Sequence, residues 1–443
     1  MAEEPLKVAL VALNRPGYQS LALGYLRAYA EANERLRGRV VFQTLDLTTD
    51  VDPWWVAYRV LRMGPDVAGF SVSCWNARAI YAACSIIRNA RPDIVTVLGG
   101  PEVGPVAEEV LSENPAVDIV VRGEGEETFA ELLRVLSSGK RAWMVEGVTA
   151  RDGERIVSAP DRAPIEDLDS IPSPYLSGVI TPSETSSYIE TFRGCPHACG
   201  YCFEAKGVAG IRSFSRERIQ ADIDAMASSP GVRTFSFIDS VFNLTGERLS
   251  WLADVLEPHA RRGIRLHTIE VDVERIGDGE AEELRRAGVV SVETGPQTIG
   301  AKALEASGRT FHADRFVAGV SALKRAGISV ECDLIIGLPG DDPFDVIGGL
   351  RWLLSLDPGI VQSSTLRVLP GTDFSARSEE MGLMYDPKPD HSVIQTPGIG
   401  FADMRRLEVL SNDLGISYRA RLDRPAVQSP SRPRSSGDRA QVS

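Results

Sequence analysis

Short apolar runs alternate with amphipathic stretches from Lys7 onward. Lys7–Leu13, Val40–Leu45, Val67–Ser71, Ile94–Leu98 and Ile119–Val121 have strand length and few polar positions. Between them Leu21–Ala30, Pro53–Met63, Ala77–Asn89, Val106–Leu111 and Glu126–Leu136 carry apolar residues at helical spacing. Strands that are apolar at nearly every position are covered on both faces, which predicts a parallel sheet between helices. Residues 1–150 therefore read as a doubly wound, Rossmann-like α/β domain, with Glu146–Thr149 as a closing edge strand.

The alternation lapses over 151–187, where Asp152-Gly153, Pro160, Pro164, Pro172, Pro174 and Pro182 describe a linker without its own core. It resumes over 188–375. Strands are expected at Ser187–Phe192, Arg233–Ile238, Arg265–Val271, Val289–Glu293, Ser329–Ile336 and Val361–Val368. Helices are expected at Arg216–Ala227, Glu247–Arg261, Gly279–Ala287, Ala313–Ala326 and Phe344–Leu356. Residues 376–423 read as a short extension, helical over Ser378–Met384 and Phe401–Gly415, and the Pro-, Ser- and Arg-rich residues 424–443 as a disordered tail.

Composition narrows the class. With 443 residues and 43% hydrophobic content, two cores are expected. A net charge of −13 argues against a nucleic-acid surface. No apolar run has bilayer length and MAEEPLK lacks a signal-peptide pattern, so a cytoplasmic protein is expected. Three of the six cysteines share one loop, which is not a disulfide framework.

That loop is FRGCPHACGYCFE, residues 192–204, with Cys195, Cys199 and Cys202 in a C-x3-C-x2-C array. Three thiolates can hold three irons of a [4Fe-4S] cube and leave the fourth open to a ligand, whereas a closed cluster takes four. A zinc site would need a fourth N/S ligand, and His197 between the cysteines is poorly placed to supply it.

Four strands of the first domain end in small or polar turns. These hold Asn14; Ser71, Ser73, Trp75 and Asn76; Gly99, Gly100 and Glu102; and Gly123, Glu124 and Gly125. The carboxyl ends of parallel strands line one crevice, and glycines there admit a large flat ligand close to the backbone. These eleven positions are the candidate cofactor contacts of that domain.

GGPEVGP, RGEGEETF, SVSCWN and VALNRPGYQSLALGYLRAY resemble the cobalamin-binding domain found upstream of radical S-adenosylmethionine (SAM) domains, over roughly residues 6–140. The D-x-H-x-x-G pattern is absent and no histidine precedes His197. The resemblance thus implies a cobalt whose lower face lacks a histidine of this domain, with Trp75, Asn76 or Arg78 beside it. Cys74 and Cys84 read as buried small hydrophobes.

RGCPHACGYC, VSVETGPQT and CDLIIGLPGDD, in that order, resemble the radical SAM superfamily, which implies a partial (β/α)6 barrel. By position, Cys195, Cys199 and Cys202 would hold the cluster and SAM would chelate its open iron. Tyr201 would lie near adenine, Asp239 and Asn243 near the methionine part, and Glu293 and Gln297 near the ribose. The GGE form of the methionine-contacting motif is absent. Glu270 and Asp272, acids at the third strand end, are candidate catalytic proton acceptors. Cys332 reads as a core thiol rather than a fourth cluster ligand, and Arg309 as an exposed helix charge.

The joint resemblance is to cobalamin-dependent radical SAM methyltransferases. It implies a 5′-deoxyadenosyl radical that takes hydrogen from an unactivated carbon of a small molecule, and methyl delivery from methylcobalamin. The implied cofactors are a [4Fe-4S] cluster, SAM and cobalamin. The implied partners are a flavodoxin- or ferredoxin-type electron donor and a substrate or protein that caps the site. Rival readings are a radical rearrangement or cyclisation without methyl transfer, a non-catalytic cobalamin or iron–sulfur redox protein, and a thiomethylating tRNA enzyme. The acidic charge and single cysteine trio disfavour the last.

Overall fold

Nine residues from Leu6 to Asn14 form the central strand of the first domain, β1, and every side chain from Val8 to Leu13 is buried. The computed structural model describes residues 4–183, 187–204 and 210–422, the last stretch as backbone alone over 416–422. The tail expected over 424–443 lies outside them. After β1 come α1 (Leu21–Ala32), β2 (Val40–Thr48), α2 (Pro53–Met63), β3 (Val67–Ser71), α3 (Ala77–Ala90), β4 (Val95–Gly99), α4 (Ala107–Glu113), β5 (Ile119–Val121) and α5 (Gly125–Leu136). The sheet order β2-β1-β3-β4-β5 is parallel, and an antiparallel pair, β6 (Val148–Asp152) and β7 (Arg155–Ser158), extends its edge into the expected linker.

Alternation along β1 divides the core. Val8, Leu10 and Ala12 pack with Leu23 of α1 and Phe129, Leu132 and Leu133 of α5. Val11 and Leu13 pack with Val56 and Val60 of α2 and Ile80, Ala83, Cys84 and Ile87 of α3. Each fully buried aliphatic side chain contributes roughly 1.5–3 kcal/mol. Local signals set the helix starts: Ser20 accepts the Leu23 N–H at α1, and Asp52 accepts the Trp54 N–H before Pro53 at α2.

The second domain begins with β8 (Tyr188–Ile189) and β9 (Phe192–Arg193), followed by the cysteine loop and β10 (Arg212–Ser213). Then come α6 (Arg216–Ser228), β11 (Thr234–Phe237), α7 (Gly246–Arg261), β12 (Arg265–Leu266), β13 (Ile269–Glu270), α8 (Asp278–Arg286), β14 (Ser291–Gln297), α9 (Ala301–Ala306), α10 (Ala313–Arg325), β15 (Ser329–Ile336), α11 (Pro343–Ser355) and β16 (Ile360–Thr365). Two parallel ladders, β8-β11-β12 and β13-β14-β15-β16, are joined where Leu266 bridges Val289. Together they form an open six-unit barrel.

The structure departs from expectation at three places. The strand expected over Arg265–Val271 is broken at Thr268, whose φ is 49°. The strand expected over Ser187–Phe192 is split, because Asp239 captures the Thr191 N–H and β9 turns to pair with β10. No helix forms over Ser378–Met384; a short α12 (Asp373–Ala376) precedes a hairpin of β17 (Met384–Tyr385) and β18 (Val393–Gln395). The final helix, α13 (Phe401–Leu422), packs on β16 and α11. No helix among the described residues is long and apolar enough to cross a membrane.

Candidate active site

Two cavities lie at the carboxyl ends of the two sheets. One, of about 270 Å³, sits over the α1/α5 face of the first domain, between Leu10, Leu23, Leu26, Val97 and Phe129. Ser71, Gly99, Gly100, Gly123, Glu124 and Gly125 line it, as does Arg193 from the barrel. Gly123 has a φ of 68° and a side chain there would meet no protein atom within 4 Å, so the turn gives bare backbone to the open space. Gly100 is sterically obligatory: its Cβ would lie 2.3 Å from the Val72 carbonyl oxygen.

The other predicted contacts of this domain do not line that cavity. Asn14 donates to Asp46 at 2.6 Å. Asn76 is buried as a backbone staple, accepting from the Ser73 N–H at 2.9 Å and donating to the Leu13 carbonyl at 3.0 Å. Trp75 is exposed, and Arg78 is engaged by Asp386 at 2.8 Å. Glu102 is buried against His391 Nε2 at 2.8 Å.

The second cavity, of about 570 Å³, is the barrel mouth. It brings together Cys199, Glu270, Asp272, Glu293 and Gln297, and adds His197, Arg309 and Asp333. Gln297 adopts a φ of 65° at a bulge in β14. Within that bulge, Gly295 backs on Asp333 of β15 so closely that its Cβ would lie 2.8 Å from the Asp333 Cβ. Burial and the Glu293 charge push the Asp333 carboxyl up to about 8, and burial with Glu293 and Glu204 pushes Glu270 up to about 7. Glu270 is exposed within the cavity. Asp272 is otherwise engaged: it caps Glu274 N–H and lies 3.1 Å from Arg275 Nε.

Asp239 and Asn243, placed near SAM on sequence grounds, are buried in structural networks. Asp239 accepts from Thr191 and Arg248, and Asn243 pairs both ways with the Asp272 backbone at 2.9 Å. Arg309, read as an exposed charge, instead turns inward. Its Nη1 donates to Cys199 Sγ and to the Tyr201 hydroxyl, each at 3.1 Å, and its Nη2 to the Gly295 carbonyl at 3.0 Å. Cys332 is fully buried in the barrel core.

The cysteine loop suits a polynuclear group. Burial, then neighbouring charges that include the other two loop thiolates, pushes Cys202 up to about 11, and Cys195 is raised for related reasons. Three crowded thiolates need a cationic centre among them. Among the described residues no three His, Cys, Asp or Glu side chains converge tightly enough for a single metal ion. In the first domain, the apolar slot and its bare glycine turns suit the flat aromatic base of a corrinoid.

A three-thiol loop at the mouth of an open barrel, packed against a glycine-lined Rossmann-like crevice, defines a two-domain corrinoid and radical SAM architecture. Residues 18–133 match the B12 binding domain model, and residues 189–353 the Radical SAM superfamily model. An uncharacterized methyltransferase of Pyrococcus horikoshii is 25% identical over 326 residues, which cover 72% of this chain and 70% of its own length. The cobalamin-dependent radical SAM methyltransferase TokK of Streptomyces tokunonensis is 31% identical over 243 residues, covering 51% of this chain but only 34% of TokK. The radical SAM methyltransferase TsrM of Kitasatospora setae, solved with cobalamin and a [4Fe-4S] cluster, has a similar fold, with a TM-score of 0.70 at 18% identity over 91% of this chain and 81% of that one. The chain thus carries a B12 binding domain followed by a Radical SAM domain, and its cofactors are a [4Fe-4S] cluster, SAM and cobalamin.

Proposed function

We propose that this enzyme methylates an unactivated carbon of a small molecule bound in the barrel mouth. The observation that carries this reading is the direct join between the two cofactor sites. Glu124, in the turn that lines the corrinoid crevice, is bonded to Arg212 at 2.7 Å and Arg193 at 3.1 Å, on the two strands that flank the cysteine loop. When bound, the cluster supplies one electron to SAM and the corrinoid carries the methyl group.

The remaining roles belong to the chain. Cys195, Cys199 and Cys202 would hold the cluster. Arg309, Tyr201, Glu293 and Gln297 would surround SAM, with Arg309 opposite its carboxylate. Burial and neighbouring carboxylates raise the Glu270 and Asp333 carboxyls, so either can exchange a proton with a substrate group. Asp239 and Asn243 position the loop and strand ends rather than touch ligands. A reducing cytoplasm, with a flavodoxin- or ferredoxin-type donor, suits a chain whose six cysteines form no disulfide. The mouth would be closed by the substrate or a partner protein.

The test is anaerobic reconstitution with iron, sulfide, cobalamin and SAM, followed by mass analysis of candidate substrates. A product heavier by one CH2 unit, with 5′-deoxyadenosine and S-adenosylhomocysteine formed together, supports methyl transfer. A product of unchanged mass would move the reading to rearrangement.

A further inference from the structure

The cysteine loop hangs from a stem. β9 and β10 pair antiparallel with Arg193 opposite Arg212, and the neck beyond them is tight: a side chain at Gly194 would lie 2.6 Å from the Gly210 carbonyl oxygen. Both arginines point at the first domain. Arg212 grips Glu124 in a two-pronged pair, Nη2 to Oε1 at 2.7 Å and Nη1 to Oε2 at 3.0 Å. Arg193 donates to the same Oε1 at 3.1 Å, to Glu126 at 2.6 Å and to Glu190 at 3.2 Å, and lies over the Tyr25 ring. The linker joins in, with the Ile165 N–H donating to Glu124 Oε2 at 2.7 Å. These side chains are at most 18% exposed.

Burial alone would push the Glu124 carboxyl up; the Arg212 and Ile165 hydrogen bonds and the two cations outweigh it and hold the group below its usual range. Forked guanidinium–carboxylate pairs fix orientation as well as distance. The flanking Gly123 and Gly125 face the corrinoid crevice, so a ligand filling that crevice restrains the backbone on both sides of Glu124.

We propose that Glu124 is a positioning residue that couples the two cofactor sites, making cluster retention and corrinoid binding mutually dependent. This rests on the reading that the first-domain crevice takes the corrinoid. Coupling of this kind is reciprocal: whatever factor the cluster adds to corrinoid affinity, the corrinoid adds to cluster retention.

The experiment uses the full chain under anaerobic conditions. Hydroxocobalamin affinity is measured by absorbance titration on cluster-loaded and chelator-stripped protein, and the rate of cluster loss to chelator is measured with and without hydroxocobalamin. Wild-type protein should bind about tenfold more tightly when the cluster is loaded, within the usual range of coupling between sites. Glu124→Gln should still bind hydroxocobalamin, with the loaded-to-stripped ratio reduced to about twofold or less and no slowing of cluster loss. Should Glu124→Gln misfold, Arg212→Lys keeps the charge, removes the fork and should give the same collapse. A wild-type ratio of one, or a full ratio surviving in a folded variant, overturns the coupling while leaving the function intact. Wild-type protein that binds neither group overturns the functional reading and this inference with it.

Discussion

Arg309 Nη1 lies 3.1 Å from Cys199 Sγ and 3.1 Å from the Tyr201 hydroxyl, so one guanidinium touches both the cluster loop and its aromatic neighbour. The residue follows the end of α9, and its second amino group is held by the Gly295 carbonyl. A cation fixed there should bind the SAM carboxylate. Hydrogen bonds to charged groups are worth about 1.5–3 kcal/mol. Arg309→Met should therefore lower 5′-deoxyadenosine formation about 10- to 100-fold with iron content unchanged. Parallel loss of iron would instead make it a support of the cluster loop.

The three loop cysteines and Cys332 should separate cleanly. Cys199→Ala should abolish 5′-deoxyadenosine formation and reduce bound iron. Cys332→Ala, a change inside the barrel core, should keep the cluster absorbance and lower the unfolding midpoint. Loss of cluster in Cys332→Ala would make it a fourth ligand.

Asp333 sets a pH dependence. Its carboxyl is raised from 3.8 to about 8, so between these values the native protein holds a proton that the unfolded chain has released. The associated stability is fully present below pH 4 and is lost as pH rises through 8. Asp333→Asn stays neutral throughout, so its stability relative to wild type should improve from pH 5 to pH 8.5, measured by denaturant titration at both. A constant difference would mean that Asp333 does not titrate in that window.

His391 and Glu102 tie the C-terminal hairpin to the first domain through a buried 2.8 Å contact from His391 Nε2 to Glu102 Oε1, and Glu102 Oε2 has no hydrogen-bond partner among the described residues. His391→Ala would strand Glu102 in the interior. Removing one member of a buried pair costs about 3–5 kcal/mol. Denaturant midpoints should show a loss of that size, and a loss under 1 kcal/mol would mean that Glu102 finds another donor or water.

The alternation of apolar strands and amphipathic helices predicts both halves of the fold because sheet burial and helical periodicity are local properties of the chain. The element boundaries fail where a distant group intervenes. Thr191 leaves its strand for Asp239, 48 residues away, and Thr268 breaks a strand that its neighbours alone would continue. Site residues divide in the same way. Cys199, Glu270, Glu293, Gln297 and the GEG turn lie at strand ends, which their place in the alternation predicts, and they do line the cavities. Asn76 and Asp239 lie at strand ends too, yet their side chains turn to backbone and arginine partners.

The three-cysteine motif, the order of the two domains and the cofactor class are legible in the chain alone, since they depend on residue type and spacing within short stretches. That Arg309 faces Cys199, and that Glu124 grips the stem of the cysteine loop from the other domain, emerges only in the folded chain. Contacts across 110 and 88 residues depend on how two sheets pack, and packing direction is not written in the periodicity of either segment.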